Sequence, residues 1–136
     1  MAEFLLDTDT ASRLMRADRT AVAAMRRSGA ADIAISTVTQ SELLYGARLR
    51  PDKPAIMAAA RAFLARVTIH PWDNQAAEVH AQIWALAKSQ GRSAGAFDIM
   101  IAAHACALDA ILVTSNKAIG TLKVEGLNVV SWSAKG

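Results

Sequence analysis

The sequence predicts an α/β protein: a parallel sheet covered by helices on both faces. Three observations lead there. Short apolar runs alternate with helix-period segments from one end of the chain to the other. Helix start and stop residues stand between those segments. With 136 residues and 53% hydrophobic content, the chain has mass for one core and one domain, residues 1–136, and is too apolar for a disordered polymer.

Glu3–Asp7 reads as a short buried strand, and Thr8–Arg16 and Arg19–Ser28 as helical pieces with Ala, Leu, Val and Met on one side. Asp32–Ser36 is a second strand. Thr37-Val-Thr-Gln40 has the form of a capping box, so a helix starts there and runs to about Leu49. Pro51 and Pro54 punctuate a turn, and Pro54 suits a first helical turn. The next helix carries Ile56, Ala59, Phe63 and Val67 along one stripe, with Arg61 and Arg66 off it. Val67–His70 is a third strand, closed by Pro71. Asp73 suits the cap of a helix that runs to about Gln90 and ends at Gly91. Gly95 precedes a helix from about Phe97 to Leu108. Ala110–Thr114 is a fourth strand, Asn116–Leu122 a short helix, and Asn128–Ser131 a fifth strand.

Several classes are excluded early. No run approaches the ~18 apolar residues of a membrane span, and Phe4-Leu5-Leu6 before Asp7 is too short for a signal peptide core. The single cysteine, Cys106, has no internal disulfide partner, which fits a reducing cytoplasm. It reads as a buried small hydrophobe. The net charge is +3, and its excess lies in residues 1–66, with ten Lys/Arg against seven Asp/Glu. Arg13, Arg16, Arg19, Arg26 and Arg27 crowd the first helices, and Arg48, Arg50 and Lys53 follow later. Such a face suits either a phosphate backbone or plain solvent.

Against that basic balance stands a set of oxygen-bearing residues at strand ends. Asp7 ends the first strand, Asn116 follows the fourth, Glu42 lies about one and a half turns into the helix after the second, and Asp98 sits in a first helical turn. In open parallel sheets ligands bind beyond the carboxyl ends of the strands, so all four can reach one edge. Three carboxylates within ~4–6 Å of one another repel. Mg²⁺, with Mn²⁺ as a substitute, relieves that repulsion and prefers hard oxygen ligands. It can also lower the pKa of a bound water and neutralise charge on phosphoryl oxygens. The expected reaction is phosphodiester hydrolysis, with Asp7, Glu42 and Asp98 on the metal and Asn116 beside them.

Each residue has a plainer role open to it. Asp7 and Asp9 suit helix caps, and Asn116 suits the cap of its short helix. Asp98 gains ~0.3–1 kcal/mol from its helix dipole, although Phe97, Ile99, Met100 and Ile101 around it are all apolar. Glu42, between Ser41 and Leu43, suits an exposed helix face. His70, His80 and His104 show no ligand spacing, and Tyr45 and the three Trp look too scattered for a base-stacking platform.

Taken together, L-L-D-T-D, V-T-Q-S-E-L-L-Y-G-A, G-A-F-D-I-M-I-A-A-H-A and L-V-T-S-N resemble the motifs of PIN-domain ribonucleases, in particular the VapC toxins of toxin–antitoxin pairs. The resemblance covers essentially the whole chain, in order, and Gly91–Ala105 looks closest to the enteric-type VapC subgroup. It implies a three-layer α/β/α sandwich on a parallel five-stranded sheet and an acidic Mg²⁺ pocket. Asp7, Glu42 and Asp98 match the family's acids, and Asn116 falls at its fourth acidic or amide position. It further implies an endoribonuclease toxin cutting tRNA in the anticodon region, with the initiator tRNA prominent. A VapB-type antitoxin would silence it and carry the operator-DNA contact, and the toxin would pair as a homodimer with no membrane attachment.

Two departures stand out. Asp9 occupies a position where Asn is frequent, and Lys117-Ala-Ile-Gly120 replaces the family's acidic residue and Phe after Asn116. Two other readings remain open. Asp7-Thr-Asp9 also resembles the opening of haloacid-dehalogenase-type phosphatases, with Ser36 or Thr37 at the next strand end, but the late acidic pair of that family is replaced by Thr114-Ser-Asn116. The other is a catalytically inert RNA- or partner-binding module whose acids merely cap helices.

Overall fold

A computed structural model describes residues 3–30, 32–91 and 94–133. Residues 92 and 93, inside the Gly91–Ala105 motif tract, lie outside the described residues. The strands are β1 (Phe4–Leu6), β2 (Ile33–Ser36), β3 (Thr68–His70), β4 (Ile111–Val113) and β5 (Asn128–Val130). Between them run α1 (Thr8–Met15), α2 (Arg19–Ser28), α3 (Thr37–Arg48), α4 (Pro54–Leu64), α5 (Asn74–Ser89), α6 (Ala96–Ala107) and α7 (Lys117–Gly120).

The sheet order is β3-β2-β1-β4-β5, and every pairing is parallel. The chain therefore builds outward from β1 on one side, then returns to add β4 and β5 on the other. The reversal falls between β1 and β4, where Leu6 lies opposite Val113. At such a switch point the flanking connections leave in opposite directions and open a crevice beyond the strand ends.

Period-two alternation sorts the core into two layers. Leu5, Ala34 and Leu112 face Ile83, Ile99, Ala102 and Ile119 of α5, α6 and α7. Their neighbours Leu6, Ile35 and Val113 face Ala11, Ala24 and Leu43 of α1, α2 and α3, with Trp132 closing that side. The result is a three-layer α/β/α sandwich. Leu5 and Leu6 are both fully buried, on opposite faces of one strand. A one-residue slip of β1 would exchange the two layers, so its register, and with it the position of Asp7, is tightly specified.

The ends of several elements differ in detail from expectation. The cap of α3 is Ser36, whose Oγ accepts from Val38 N at 3.1 Å, so Thr37 is the first helical residue and the capping box does not form. Two adjacent hydroxyls offer the same chemistry, and the end of β2 decides between them. Val67 precedes β3 instead of opening it, and Ala60 is the buried residue of α4. Cys106 is half-buried, not buried: its Sγ lies 3.9 Å from the Glu125 carbonyl, and burial together with the charge of Asp109 pushes its thiol pKa up.

Candidate active site

Asp7 leaves β1 at the switch point. Its N–H donates to the Val113 carbonyl of β4 at 3.0 Å, and its Oδ1 accepts from Thr10 N at 2.8 Å. The side chain is thus both the cap of α1 and a buried carboxylate, 6% exposed. Capping orients it without neutralising it. Asp9, by contrast, caps nothing and pairs with Arg13 on the surface at 3.2 Å.

Asp98 and Asn116 come from the elements before and after β4 in the chain and meet beside it. Asp98 stands in the first turn of α6, and Asn116 caps α7 through Oδ1, which accepts from Ala118 N at 2.9 Å. The remaining polar end of that amide, Nδ2, donates to Asp98 Oδ2 at 3.0 Å. Asn116 is therefore a cap and a ligand of Asp98 at once, and the two readings of it are compatible. Burial pushes the Asp98 carboxyl above the usual carboxylate range, and the charge of Asp7 adds to the rise. The Asn116 hydrogen bond works against that rise, and Asp9 contributes slightly to it.

Glu42 reaches the same region by a different route. On α3, its Oε1 accepts from Thr8 Oγ1 at 2.5 Å, and the hydroxyls of Thr8 and Thr39 lie 3.2 Å apart. Thr8 follows Asp7 directly, so this bond fastens Glu42 beside the α1 cap. Among the described residues, no three His, Cys, Asp or Glu side chains come close enough to form a ready-made metal cage. Each acid instead turns to its own donor: Asp7 to Thr10, Glu42 to Thr8 and Asp98 to Asn116. Like charges without a cation between them are expected to do this.

The donor set nevertheless fits a hard divalent cation. Mg²⁺ is usually held by one or two carboxylates, with water and substrate phosphate filling the other positions. Asp7 and Asp98 supply such a pair at the switch point, and the raised Asp98 pKa marks a charge that a cation would stabilise. Glu42 stands as a third oxygen donor, with Oε1 held by Thr8 and its second carboxylate oxygen left available.

Two residues that sequence reasoning did not single out shape this site. Thr8 holds Glu42; the visible signal was a hydroxyl directly after a strand-end aspartate. Gly95 leaves room for the Asp98 carboxylate, because a Cβ at position 95 would lie 3.1 Å from Asp98 Oδ2. Ser36 is fully buried, and its hydroxyl is spent capping α3, which leaves it no phosphatase role. A cleft of about 640 Å³ adjoins Glu42, lined by Thr37, Val38, Ser41, Tyr45 and Phe97. Tyr45 shares that cleft with Phe97, while none of the three Trp lines it. Elsewhere, His80 stacks on Trp84 with centroids 5.3 Å apart and meets Trp72 edge-on, and His104 is buried beside His70.

A parallel 3-2-1-4-5 sheet, with Asp7 and Asp98 at its switch point and Glu42 tied next to Asp7 through Thr8, is an arrangement of the PIN class. The PIN-domain family model matches residues 4–124, and the chain belongs to that family. Within it, the chain is 33% identical over 133 residues to the tRNA(fMet)-specific endonuclease VapC of Shigella flexneri, covering 98% of this chain and 100% of the relative. DNA-bound VapBC from Salmonella typhimurium superposes with a TM-score of 0.83 at 27% identity, covering 98% and 100% of the two chains. VapBC2 from Rickettsia felis bound to a promoter DNA fragment shares the fold, with a TM-score of 0.84 at 23% identity over 96% and 98%.

Proposed function

We propose that this chain, one PIN domain over residues 1–136, is the toxin of a VapBC-type toxin–antitoxin pair and a metal-dependent endoribonuclease acting on tRNA. The observation that carries the reading is the half-buried Asp98 carboxylate, held by Asn116 beside the buried Asp7 at the switch point. A helix cap does not need a second acid beside it, and a binding module gains nothing from a carboxylate whose ionisation is opposed. The whole-length likeness to a relative named a tRNA(fMet)-specific endonuclease supports tRNA, and the initiator tRNA in particular, cut in the anticodon region.

Asp7 and Asp98 would hold Mg²⁺, with Mn²⁺ able to replace it, and Glu42 would join through its second carboxylate oxygen while Thr8 keeps the first. When bound, the cation supplies Lewis-acid chemistry at the phosphodiester. The chain's own residues do the positioning. Thr10 N–H fixes the rotamer of Asp7, Asn116 Nδ2 fixes that of Asp98, and Thr8 holds Glu42 at the rim where substrate enters. Ligands held this way need little rearrangement during reaction.

A relative solved as a DNA-bound VapBC complex at 27% identity supports a VapB-type antitoxin as partner and operator contact through that antitoxin. A homodimer inside the complex and a cytoplasmic location complete the reading. Among the described residues no helix is long and apolar enough to cross a membrane. The test is incubation of antitoxin-free protein with total tRNA, followed by mapping of new ends. Breaks confined to one anticodon loop, present with Mg²⁺ and absent with EDTA, are expected. Intact tRNA under both conditions, from protein that is folded, would overturn the reading.

A further inference from the structure

Tyr45 and Phe97 are 65% and 53% exposed, unusual for aromatic rings of a protein with two well-filled core layers. Both line the cleft that contains Glu42. Each ring rides on a helix that also carries a site acid. Tyr45 is three residues beyond Glu42 on α3, one turn along the same face, and Phe97 directly precedes Asp98 on α6. The positions of rings and carboxylates are therefore set by the same two helices. The cleft's volume, about 640 Å³, falls within the ~300–1,000 Å³ typical of small-ligand sites.

We propose that this cleft is a nucleobase subsite: an unpaired base next to the scissile phosphate stacks against Tyr45 and Phe97. The assignment rests on the nuclease reading above and adds a determinant for single-stranded substrate. Charge selects the occupant. Beyond Glu42 the cleft walls, Thr37, Val38, Ser41, Tyr45 and Phe97, carry no cationic group to hold a phosphate, so a neutral ring enters. A second hollow continues along α3 past Tyr45 to the exposed Arg48, with Gln40 and Leu44 on its walls. A phosphate one nucleotide away would meet that guanidinium. The Ser41 hydroxyl on the shared wall offers a partner to a base edge, which a purely aliphatic peptide side chain would leave unused. Stacking on exposed rings is tolerant of base identity but demands that the base be unpaired, as in a loop.

The test uses a short single-stranded RNA carrying 2-aminopurine at each position in turn, titrated into the Asp98→Asn protein so that cleavage does not intrude. Quenching at one position is expected, and Tyr45→Leu or Phe97→Leu should weaken binding about tenfold. Tyr45→Phe should bind like the parent. With an abasic residue at the quenched position, the Leu variants should lose nothing further, because the contact is already gone. The proposal is overturned if the Leu variants bind unchanged, or if their loss persists on abasic RNA. It is also overturned if the Leu variants lose only antitoxin affinity while RNA binding stands, which makes the rings a protein-docking surface. A parallel Mg²⁺ assay with the unsubstituted protein separates the two readings. Quenching without cleavage would sink the nuclease and spare the subsite, and cleavage without quenching would do the reverse.

Discussion

Replacing Asp98 by Asn should make the metal-free protein more stable while destroying its response to metal. Asp98 is half-buried, and its ionised form is opposed first by burial and then by the charge of Asp7. Asp98→Asn removes that charge and leaves an amide oxygen able to accept from Asn116 Nδ2. Discounted for solvent screening at a half-exposed group, the gain is about 0.5–1 kcal/mol, or roughly 2–4 °C in Tm for a chain of this size. The sign in pH follows from the raised folded pKa. The folded protein binds the Asp98 proton more tightly than the unfolded chain does, so ionising Asp98 costs stability as pH rises through the folded value. The variant's advantage is therefore full at neutral pH and shrinks on acidification toward the ordinary aspartate range. Mg²⁺ reverses the order. At ten times its dissociation constant a ligand adds about 1.4 kcal/mol to the unsubstituted protein, and the variant, missing one ligand charge, should gain little. Thermal unfolding in EDTA and across a Mg²⁺ titration would show the two proteins crossing. A variant less stable than its parent in EDTA would make Asp98 a structural cap, and a parent indifferent to both Mg²⁺ and Mn²⁺ would refute the metal site.

Three other perturbations follow from the geometry. Gly95→Ala puts a methyl group 3.1 Å from Asp98 Oδ2 at an ordinary φ of −62°. It should cut RNA cleavage roughly ten- to hundredfold while moving stability by no more than about 0.5 kcal/mol; equal losses in both would argue against a positioning role. Thr8→Val removes the donor that holds Glu42 and should lower kcat about tenfold at a cost of ~1 kcal/mol in stability, with Thr8→Ser restoring the rate. An unaffected kcat would detach Glu42 from the reaction. Finally, His104 is almost fully buried with Nδ1 unpartnered, and burial, reinforced by His70, holds its pKa down against the opposing influence of Asp73 and the Pro71 backbone. The unfolded chain therefore takes up a proton that the fold refuses, and stability should fall as pH drops below about 6.5, by up to ~1.4 kcal/mol per unit. Urea unfolding at several pH values should show His104→Gln flattening that slope, with His80, also lowered by burial, leaving a remnant; an unchanged slope would contradict the assignment.

Much of this arrangement could be read from the chain because it depends on local pattern. Apolar triplets such as Phe4-Leu5-Leu6 and Ile111-Leu112-Val113 mark buried parallel strands, and a parallel sheet puts their carboxyl ends on one edge. That reasoning alone brings Asp7 and Asn116 toward each other, and Asp98 follows from its helix start. Contacts with no local signature were not legible. Nothing in the order of residues says that Thr8 will hold Glu42, 34 positions away, or that each acid will turn to a separate donor instead of to the others. Tyr45 and Phe97 lie 52 positions apart and look scattered along the chain. Only the packing of α3 and α6 brings them to one cleft. The Ser36–Thr37 choice of cap was similarly ambiguous, since two neighbouring hydroxyls compete and the end of β2 decides.

The most direct test of metal-dependent tRNA hydrolysis at Asp7 and Asp98 is single-turnover cleavage of initiator tRNA by the purified protein and its Asp7→Asn and Asp98→Asn variants, with Mg²⁺, Mn²⁺ or EDTA. One discrete break in the anticodon region is predicted, made only by the unsubstituted protein and only with a divalent ion present. Equal cleavage by either variant, or cleavage that persists in EDTA, would contradict it.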